Sequence, residues 1–422
     1  MSATCRPNLK DAGNVATRKL EKIGSIAATV ATDKKKLKTL REQLPAVSVT
    51  GYFNAGSNGP IPKVSYEILR SSWDAEFTDG RASLAFYGVG AQKLASLRST
   101  ISSIFNAEVS EVAITHSTGE GMNAAMQGIL WHPGDEIITT NLEHPALFFA
   151  AASVVQRFGL VLNTIDIGYG EGDVLAKLKA AITPRTRVLM ISHLQWSSGA
   201  VMPLKEIAEY CRSMGILTVI DAAQGGGQLD IDFHDLGVDV YSMAGQKWLL
   251  GPNATGIMLV RKESLGYFRP SYVRGGSWDE YGFFTPAAGA SRFENGEMFG
   301  PAIEAFDKGL QWLRDDVGFS WLAARNASLG KRVHKALSKT KHVTVTTPTE
   351  NMAGMVCFNV DDMHPRDVSV ALSERGYTIR YVEARPCPTS ARISASWWTT
   401  ENEVDGLCAA IAEVAADAAK AK

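Results

Sequence analysis

Lys247 sits in S-M-A-G-Q-K-W-L-L-G-P (242–252), between small residues and an apolar turn. A lysine held in such company loses solvation, and its pKa falls. The free amine then becomes a nucleophile able to form a Schiff base with a carbonyl compound. Taken alone, a lysine beside a turn is more often structural or solvated. Asp221 closes L-T-V-I-D (217–221). A carboxylate at the C-terminal end of a strand in an open parallel sheet faces the ligand crevice and can keep a pyridinium nitrogen protonated. Its alternative is a helix N-cap. Gln224, three residues on, offers an amide to a ring hydroxyl. His144, in N-L-E-H-P-A, stacks on an aromatic ring or packs locally in its loop. Ser117, Thr118 and Gly119 open S-T-G-E-G-M-N, where hydroxyls and N–H groups at a helix start hold phosphate or form an ordinary cap. That run matches neither GxGxxG nor GxxxxGK[ST].

The elements needed to position these groups are legible as alternating strand-like and helical segments from about 95 to 260, the pattern of a mostly parallel sheet with helices on both faces. Strands are predicted at 112–117, 135–141, 161–166, 187–193, 217–223, 239–244 and 255–261. Helices are predicted at 91–106, around 121–130, and at 146–159, 174–182 and 204–215. Gly159 is the expected C-cap of its helix. L-T-V-I-D and R-V-L-M-I-S are nearly continuous apolar runs, as strands covered on both faces require. Helices at 304–318 and 319–338 follow, then a shorter set of strands and helices that reads as a smaller α+β domain. D-K-K-K-L-K-T-L-R-E-Q-L (33–44) carries Leu37, Leu40 and Leu44 at helical spacing, predicting a helix that docks by its leucines. The expected division is an N-terminal extension 1–48, a large domain 49–308 and a small C-terminal domain 309–422.

The order of these groups along the chain resembles the class V aminotransferase family of fold-type-I pyridoxal-phosphate enzymes, which includes cystine C–S lyases, cysteine desulfurases and isopenicillin N epimerase. Y-F-N-A-G-S-N-G-P-I-P (52–62), S-H-L-Q-W-S-S-G-A-V-M-P-L-K-E-I (192–207) and A-R-I-S-A-S-W-W-T-T-E-N-E-V-D (391–405) carry the likeness along with the Lys247 segment. The resemblance covers roughly residues 50 to 410. It implies pyridoxal 5'-phosphate as cofactor, with Lys247 as its covalent anchor and the proton shuttle at the substrate α-carbon. Asp221 would pair with the ring nitrogen, Gln224 with the ring hydroxyl, and His144 would stack on the ring. His193 would sit near the ring oxygen. Ser117, Thr118, Gly119 and Gln246 would serve the phosphate. Arg392 would grip the amino-acid carboxylate, where the alternative is a surface ion pair, and Asn54 and Gly56 would lie close to the substrate. A homodimer with shared sites is implied, with 271–299 contributing across the interface.

Three departures from the family pattern stand out. Gln246 replaces the histidine often found just before the lysine. Glu297, in R-F-E-N-G-E-M-F-G-P-A, stands where the family has a threonine. Cys387 is five residues before Arg392 and lies between two prolines, which stiffen its loop against the swinging motion a desulfurase cysteine needs. The resemblance to cystine lyases in F-N-A-G-S-N-G-P, S-H-L-Q-W and G-Q-K-W-L-L-G-P, without a flexible desulfurase cysteine, implies C–S lyase-type β-elimination of an S-substituted cysteine or closely related α-carbon chemistry. Transamination, epimerisation and decarboxylation are the alternatives, then a non-catalytic binding protein of the same fold; desulfuration ranks last. Tyr52, Phe53, Trp196, Trp278 and Tyr281 are assigned to the core rather than to a pocket.

Net charge is −1 over 422 residues, which excludes a dominant polyanionic partner such as nucleic acid or an anionic membrane. The five cysteines, Cys5, Cys211, Cys357, Cys387 and Cys408, never fall as CxxC and are read as reduced thiols, with no metal site expected. The start of the chain lacks the apolar core of a signal peptide, and the longest apolar run is too short to span a bilayer. A cytoplasmic location is the expectation.

Overall fold

A computed structural model describes residues 33–272 and 277–420. Of the expected extension 1–48, residues 1–32, Cys5 included, lie outside the described residues. The first helix, α1 (33–41), buries Leu37 and Leu40, with Leu44 just beyond its end, as their spacing predicts. The short strand β1 (Gly51–Tyr52) follows. Next come two long helices, α2 (Lys63–Asp79) and α3 (Leu84–Phe105).

Sequence patterning did not assign α2, and it started α3 seven residues late (91 against 84). The reason is physical. Phe77, Leu84 and Tyr87 on these helices are 88%, 91% and 61% exposed, so their apolar residues do not form the single inward stripe that marks a surface helix. Ser83 starts α3 by accepting a hydrogen bond from the Phe86 N–H.

The large sheet is built from β2 (Val112–Thr115), β3 (Glu136–Thr140), β4 (Val161–Ile165), β5 (Thr186–Ser192), β6 (Leu217–Asp221), β7 (Val240–Ala244) and β8 (Gly256–Val260). Its order is β2-β8-β7-β6-β5-β3-β4. Only β8 runs antiparallel to its neighbours. The helices α4 (Thr118–Gly128), α5 (Pro145–Phe158), α6 (Val174–Ala181), α7 (Leu204–Ser213) and α8 (Phe233–Leu236) connect these strands. The residues of β2, β3, β6, β7 and β8 are buried throughout, so apolar side chains on both faces drive the sheet's burial. Gly159 caps α5 in the left-handed conformation (φ 68°), as expected from the sequence.

Beyond the sheet, α9 (Gly300–Trp312) runs through one wide turn into α10 (Phe319–Leu337). A second, antiparallel sheet contains β9 (Val343–Val345), β10 (Met355–Val360), β12 (Arg380–Val382) and β13 (Ser390–Ser394), in the order β12-β13-β10-β9. Helix α11 (Pro365–Glu374) packs on it beside α10, and α12 (Glu401–Lys420) packs against α10 and α11. The two-residue strand β11 (Tyr377–Thr378) pairs in parallel with β1. This pairing draws the segment after α1 across to the C-terminal sheet. Phe53 is fully buried in that sheet's core, and Asn54 bridges to Ser394. The protein is thus an α/β fold with a mostly parallel central sheet and a smaller C-terminal α+β unit.

Trp196 and Phe53 are buried, in keeping with their assignment to the core, and Tyr52 is half-buried. Trp278 and Tyr281 are not core: they are 57% and 77% exposed. Aromatic type alone cannot tell a core position from one on an uncovered face. No helix among the described residues is long and apolar enough to cross a membrane.

Candidate active site

The site forms where strands of the large sheet end. Ser117 follows β2, His144 follows β3, His193 follows β5, Asp221 ends β6 and Lys247 follows β7. Ligands gather outside the carboxyl ends of such strands because the loops there diverge and helix N-termini point inward. Lys247 is held by a tight turn in which Gly251 N–H donates to the Gly245 carbonyl at 2.8 Å and Leu250 N–H to the Lys247 carbonyl at 3.2 Å. The segment after β1 closes over this turn. Gly59 N–H donates to the Gln246 carbonyl at 2.8 Å, and a Cβ on Gly59 would lie 2.2 Å from the Lys247 carbonyl oxygen. Only glycine permits that approach.

Lys247 lies deep in the molecule, although solvent still reaches part of its side chain. Burial lowers its pKa to about 8; the Asp221 carboxylate opposes the shift, and the Arg392 charge adds to it. Asp221 is buried and accepts a hydrogen bond from Ala223 N–H at 2.9 Å. Its pKa is raised by burial, against the pull of that N–H and of Lys247. His193 is buried, with Nδ1 2.7 Å from the Tyr241 hydroxyl, and burial lowers its pKa to about 4.

His144 caps α5, its Nδ1 accepting from Ala146 N–H at 3.1 Å, so the local-packing role is real. Its ring also meets Trp196 edge-on, with centroids 4.7 Å apart. Its pKa falls to about 4, first by burial and then through the positive charges of Lys247, Arg392 and Arg380. The imidazole is therefore neutral at physiological pH, as a ring-stacking group should be.

Ser117 is the N-cap of α4, its hydroxyl accepting from Glu120 N–H at 3.1 Å. Thr118 and Gly119 form the first turn, where N–H groups have no intrahelical acceptor. Gln224 is buried and anchored at both ends, with one N–H of its amide left to donate. Its Nε2 donates to the Gly56 carbonyl at 3.0 Å, and its Oε1 accepts from Trp248 Nε1 at 2.8 Å.

Arg392 lies on β13, almost fully buried. Its Nη1 donates to the Trp196 carbonyl at 3.3 Å, and among the described residues it forms no ion pair with a carboxylate. Burial lowers its pKa to about 10. A Cβ on Gly56 would lie 2.9 Å from Arg392 Nη2 and 3.1 Å from Gln224 Oε1, so Gly56 packs directly on the guanidinium.

Buried polar atoms are almost always hydrogen-bonded. Here Thr118 Oγ1, Gln246 Oε1, Asn54 Oδ1, Trp196 Nε1, Arg392 Nε and Ser394 Oγ are buried without a partner. Gln246 adjoins Lys247, Trp196 meets His144, and Asn54 bridges to Ser394 on the strand that carries Arg392. A cluster of unsatisfied donors and acceptors, a cool lysine, a strand-end carboxylate and a helix N-terminus fits a phosphorylated pyridine aldehyde and an amino-acid carboxylate.

The family profile of class-V aminotransferases matches residues 55–407. The chain belongs to that family. It is a pyridoxal-phosphate enzyme that acts on an amino-acid substrate. It is similar to the cystine C–S lyase C-DES, solved with its product cysteine persulfide, at 29% identity and a TM-score of 0.84, covering 88% of this chain and 99% of that one. It is 28% identical to a probable cysteine desulfurase of Mycobacterium leprae, covering 85% of each chain. It is 26% identical to the isopenicillin N epimerase of Streptomyces clavuligerus, covering 85% of this chain and 93% of that protein.

Two features escaped sequence reasoning. Glu143 is fully buried beside His144. Its carboxyl accepts from Thr140 Oγ1 (2.7 Å), Gln195 Nε2 (3.0 Å), Ser192 N–H (2.9 Å) and the Ser192 hydroxyl. Burial raises its pKa to about 7, against those donors. Glu143 thereby ties the end of β3 to the end of β5. Nothing in N-L-E-H-P-A distinguishes this glutamate from a solvated one. The second feature is Trp196, which links His144 to Arg392. Glu297 is exposed and does not join the Lys247 cluster; it lines a separate cleft of about 770 Å³ with Glu76, Arg81, Tyr87 and Lys93.

Proposed function

We propose that this enzyme cleaves the C–S bond of S-substituted cysteines by β-elimination. Among the family's reactions, the state of Cys387 supports this one. Cys387 is buried, its thiol donates to the Glu143 carbonyl at 3.0 Å, and burial pushes its pKa up. Sulfur transfer to the protein needs an accessible thiolate, whereas Cys387 is buried and its burial disfavours the thiolate. Elimination needs only a base at the α-carbon and a leaving sulfur. The likeness to a cystine C–S lyase points the same way.

In this reading, bound pyridoxal phosphate supplies an electron sink for charge developing at the substrate α-carbon. Thr118, Gly119, Ser117 and Gln246 hold its phosphate, His144 its face, Asp221 its ring nitrogen, and Gln224 and His193 its oxygen edge. Arg392 binds the substrate α-carboxylate, an interaction that orients as well as attracts, and Asn54 and Gly56 border the bound amino acid. The Lys247 amine removes the α-proton. The C–S bond breaks with its electron pair leaving on sulfur, which departs as thiolate and takes up a proton. The released aminoacrylate takes up one water and yields pyruvate and ammonia.

The exposed aromatics of α2, α3 and 278–284 support a homodimer, to which the 271–299 segment, whose residues 273–276 lie outside the described residues, would contribute across the interface. The division into an extension (1–48), a large domain (49–308) and a small domain (309–422) belongs to the same reading. The test is incubation of holoenzyme with S-substituted cysteines, following pyruvate, thiol, keto acid and α-proton exchange together. Equal pyruvate and thiol, unchanged within about twofold by Cys387→Ser, is the expected result. Keto acid with loss of the cofactor's absorption marks a transaminase, and exchange with no thiol marks an epimerase; either overturns the proposal.

A further inference from the structure

His193 is held through both its backbone and its ring. Its N–H donates to the Asp221 carbonyl at 3.0 Å, and its carbonyl accepts from Met202 N–H at 2.8 Å. That pins the main chain just past β5, beside the end of β6, and leaves only the imidazole to be oriented. Tyr241, on β7, orients it. The phenol is fully buried, its hydroxyl lies 2.7 Å from His193 Nδ1, and the two rings meet edge-on with centroids 5.7 Å apart. Among the described residues that hydroxyl has no other hydrogen-bond partner. The loop after Asp221 makes room for the contact. A Cβ on Gly225 would lie 2.8 Å from the Tyr241 hydroxyl and 3.5 Å from His193 Nδ1, so any side chain there would crowd the pair. The direction of this hydrogen bond decides which ring nitrogen carries the proton. Burial lowers the His193 pKa to about 4, so the imidazole is neutral with a proton on one nitrogen. Burial, and after it the Asp221 carboxylate, raises Tyr241 well above its ordinary value, so the phenol keeps its own proton. Were Nδ1 the donor, the phenolic hydrogen would be buried with no acceptor among the described residues, and an unpaired buried donor is costly. Both groups are satisfied only when Tyr241 donates to the Nδ1 lone pair. The imidazole proton is then on Nε2, which no described residue engages.

We propose that Tyr241 is a positioning residue that fixes His193 in the Nε2–H tautomer and so makes it a hydrogen-bond donor to the ring oxygen of pyridoxal phosphate. This rests on the reading that sets His193 at the cofactor's oxygen edge, and not on which substrate bond is cleaved. An ionised ring oxygen can only accept. The opposite tautomer would set a lone pair against it, whereas an N–H favours the ionised form through a charge-assisted hydrogen bond. Tyr241 touches neither cofactor nor substrate in this scheme; it acts through His193.

The test is ring-nitrogen NMR of full-length protein carrying isotope-labelled histidine, cofactor-free and as holoenzyme, with the His193 signals assigned by their loss in His193→Ala. Wild type is expected to carry the proton on Nε2, with the Nδ1 signal displaced by the hydrogen bond it accepts. In Tyr241→Phe the Nδ1 signal should move to its unbonded position and the Nδ1–H tautomer become populated. The Tyr241→Phe holoenzyme should lose part of the absorption band of the ionised ring oxygen, and its kcat should fall about 3- to 10-fold, the worth of one hydrogen bond, with KM held. Gly225→Ala, which crowds the pair and keeps the hydroxyl, should shift the absorption in the same sense. A proton on Nδ1 in wild type overturns the proposal. So does a Tyr241→Phe protein that melts lower but keeps the His193 signals and the absorption of wild type, the mark of a merely structural tyrosine. The two readings separate cleanly. A tautomer set by Tyr241, with absorption that neither Tyr241→Phe nor His193→Ala moves, removes His193 from the oxygen edge and sinks the donor role with it. Absorption moved by His193→Ala, with His193 signals unmoved in Tyr241→Phe, sinks the role of Tyr241 alone.

Discussion

At the scale of single residues, the site depends on charges held where water is scarce. Lys247 has its pKa lowered to about 8 from 10.5 by burial. The uncharged amine therefore predominates above about 8, and cofactor uptake by cofactor-free protein should quicken as pH rises through that value. The stability consequence has a definite sign. Between about 8 and 10.5 the unfolded chain binds more protons at this position than the folded one, so folding gains as pH rises through that window, and the deficit is complete below it. Lys247→Met should abolish turnover yet raise the melting temperature of the cofactor-free protein at neutral pH. A lower melting temperature would show that the amine is not a buried burden. Arg392→Gln removes a charge-assisted pair worth about 1.5–3 kcal/mol. A loss of roughly 10- to 150-fold in kcat/KM follows, carried by KM for the amino acid; an unchanged KM would place the substrate carboxylate elsewhere. Lys247 and Asp221 were legible in the sequence because strand ends can be found from apolar runs, and chemistry in this class of sheet gathers there. Glu143 was not, because burial of one glutamate beside a histidine leaves no mark on the pattern.

At the scale of elements, two ties hold the site in shape. One is the passage of β1 to β11, which lays Gly56 on Arg392 and Gly59 on the Lys247 turn. The other is Glu143, which clamps the end of β3 to the end of β5. Glu143→Ala would strand the donors of Thr140, Ser192 and Gln195, each unsatisfied group costing about 1–3 kcal/mol. A loss of about 3 kcal/mol or more in urea unfolding is expected, with Glu143→Gln milder because its shape and one acceptor remain. A change under 1 kcal/mol would remove the clamp from the account. The strands of the large sheet could be read from composition because both their faces are buried. Helix α2 could not, since its aromatic residues Tyr66, Trp73 and Phe77 are all exposed and mark no inward stripe, and pairing of a two-residue strand with a segment more than 300 positions away leaves no local signal.

At the scale of the whole molecule, the exposed aromatics of α2, α3 and 278–284 are the feature that a single chain leaves unexplained. Sedimentation is expected to give a dimer. The double variant Phe77→Asp, Tyr281→Asp should shift it to monomer and lower kcat/KM at least tenfold, with the fold intact by circular dichroism. A fully active monomer would remove the shared-site proposal. The division of labour between the two sheets is also a whole-molecule property: in the proposed site the large sheet supplies Lys247, Asp221 and the histidines, and the small one Arg392. Every proposed role in the site depends on Lys247. Borohydride reduction of the holoenzyme followed by peptide mass mapping fixes the cofactor to the residue that bears it. The modification is expected on the peptide containing Lys247 and nowhere else. Its appearance on another lysine, or on none, would contradict the assignment from which every other role here follows.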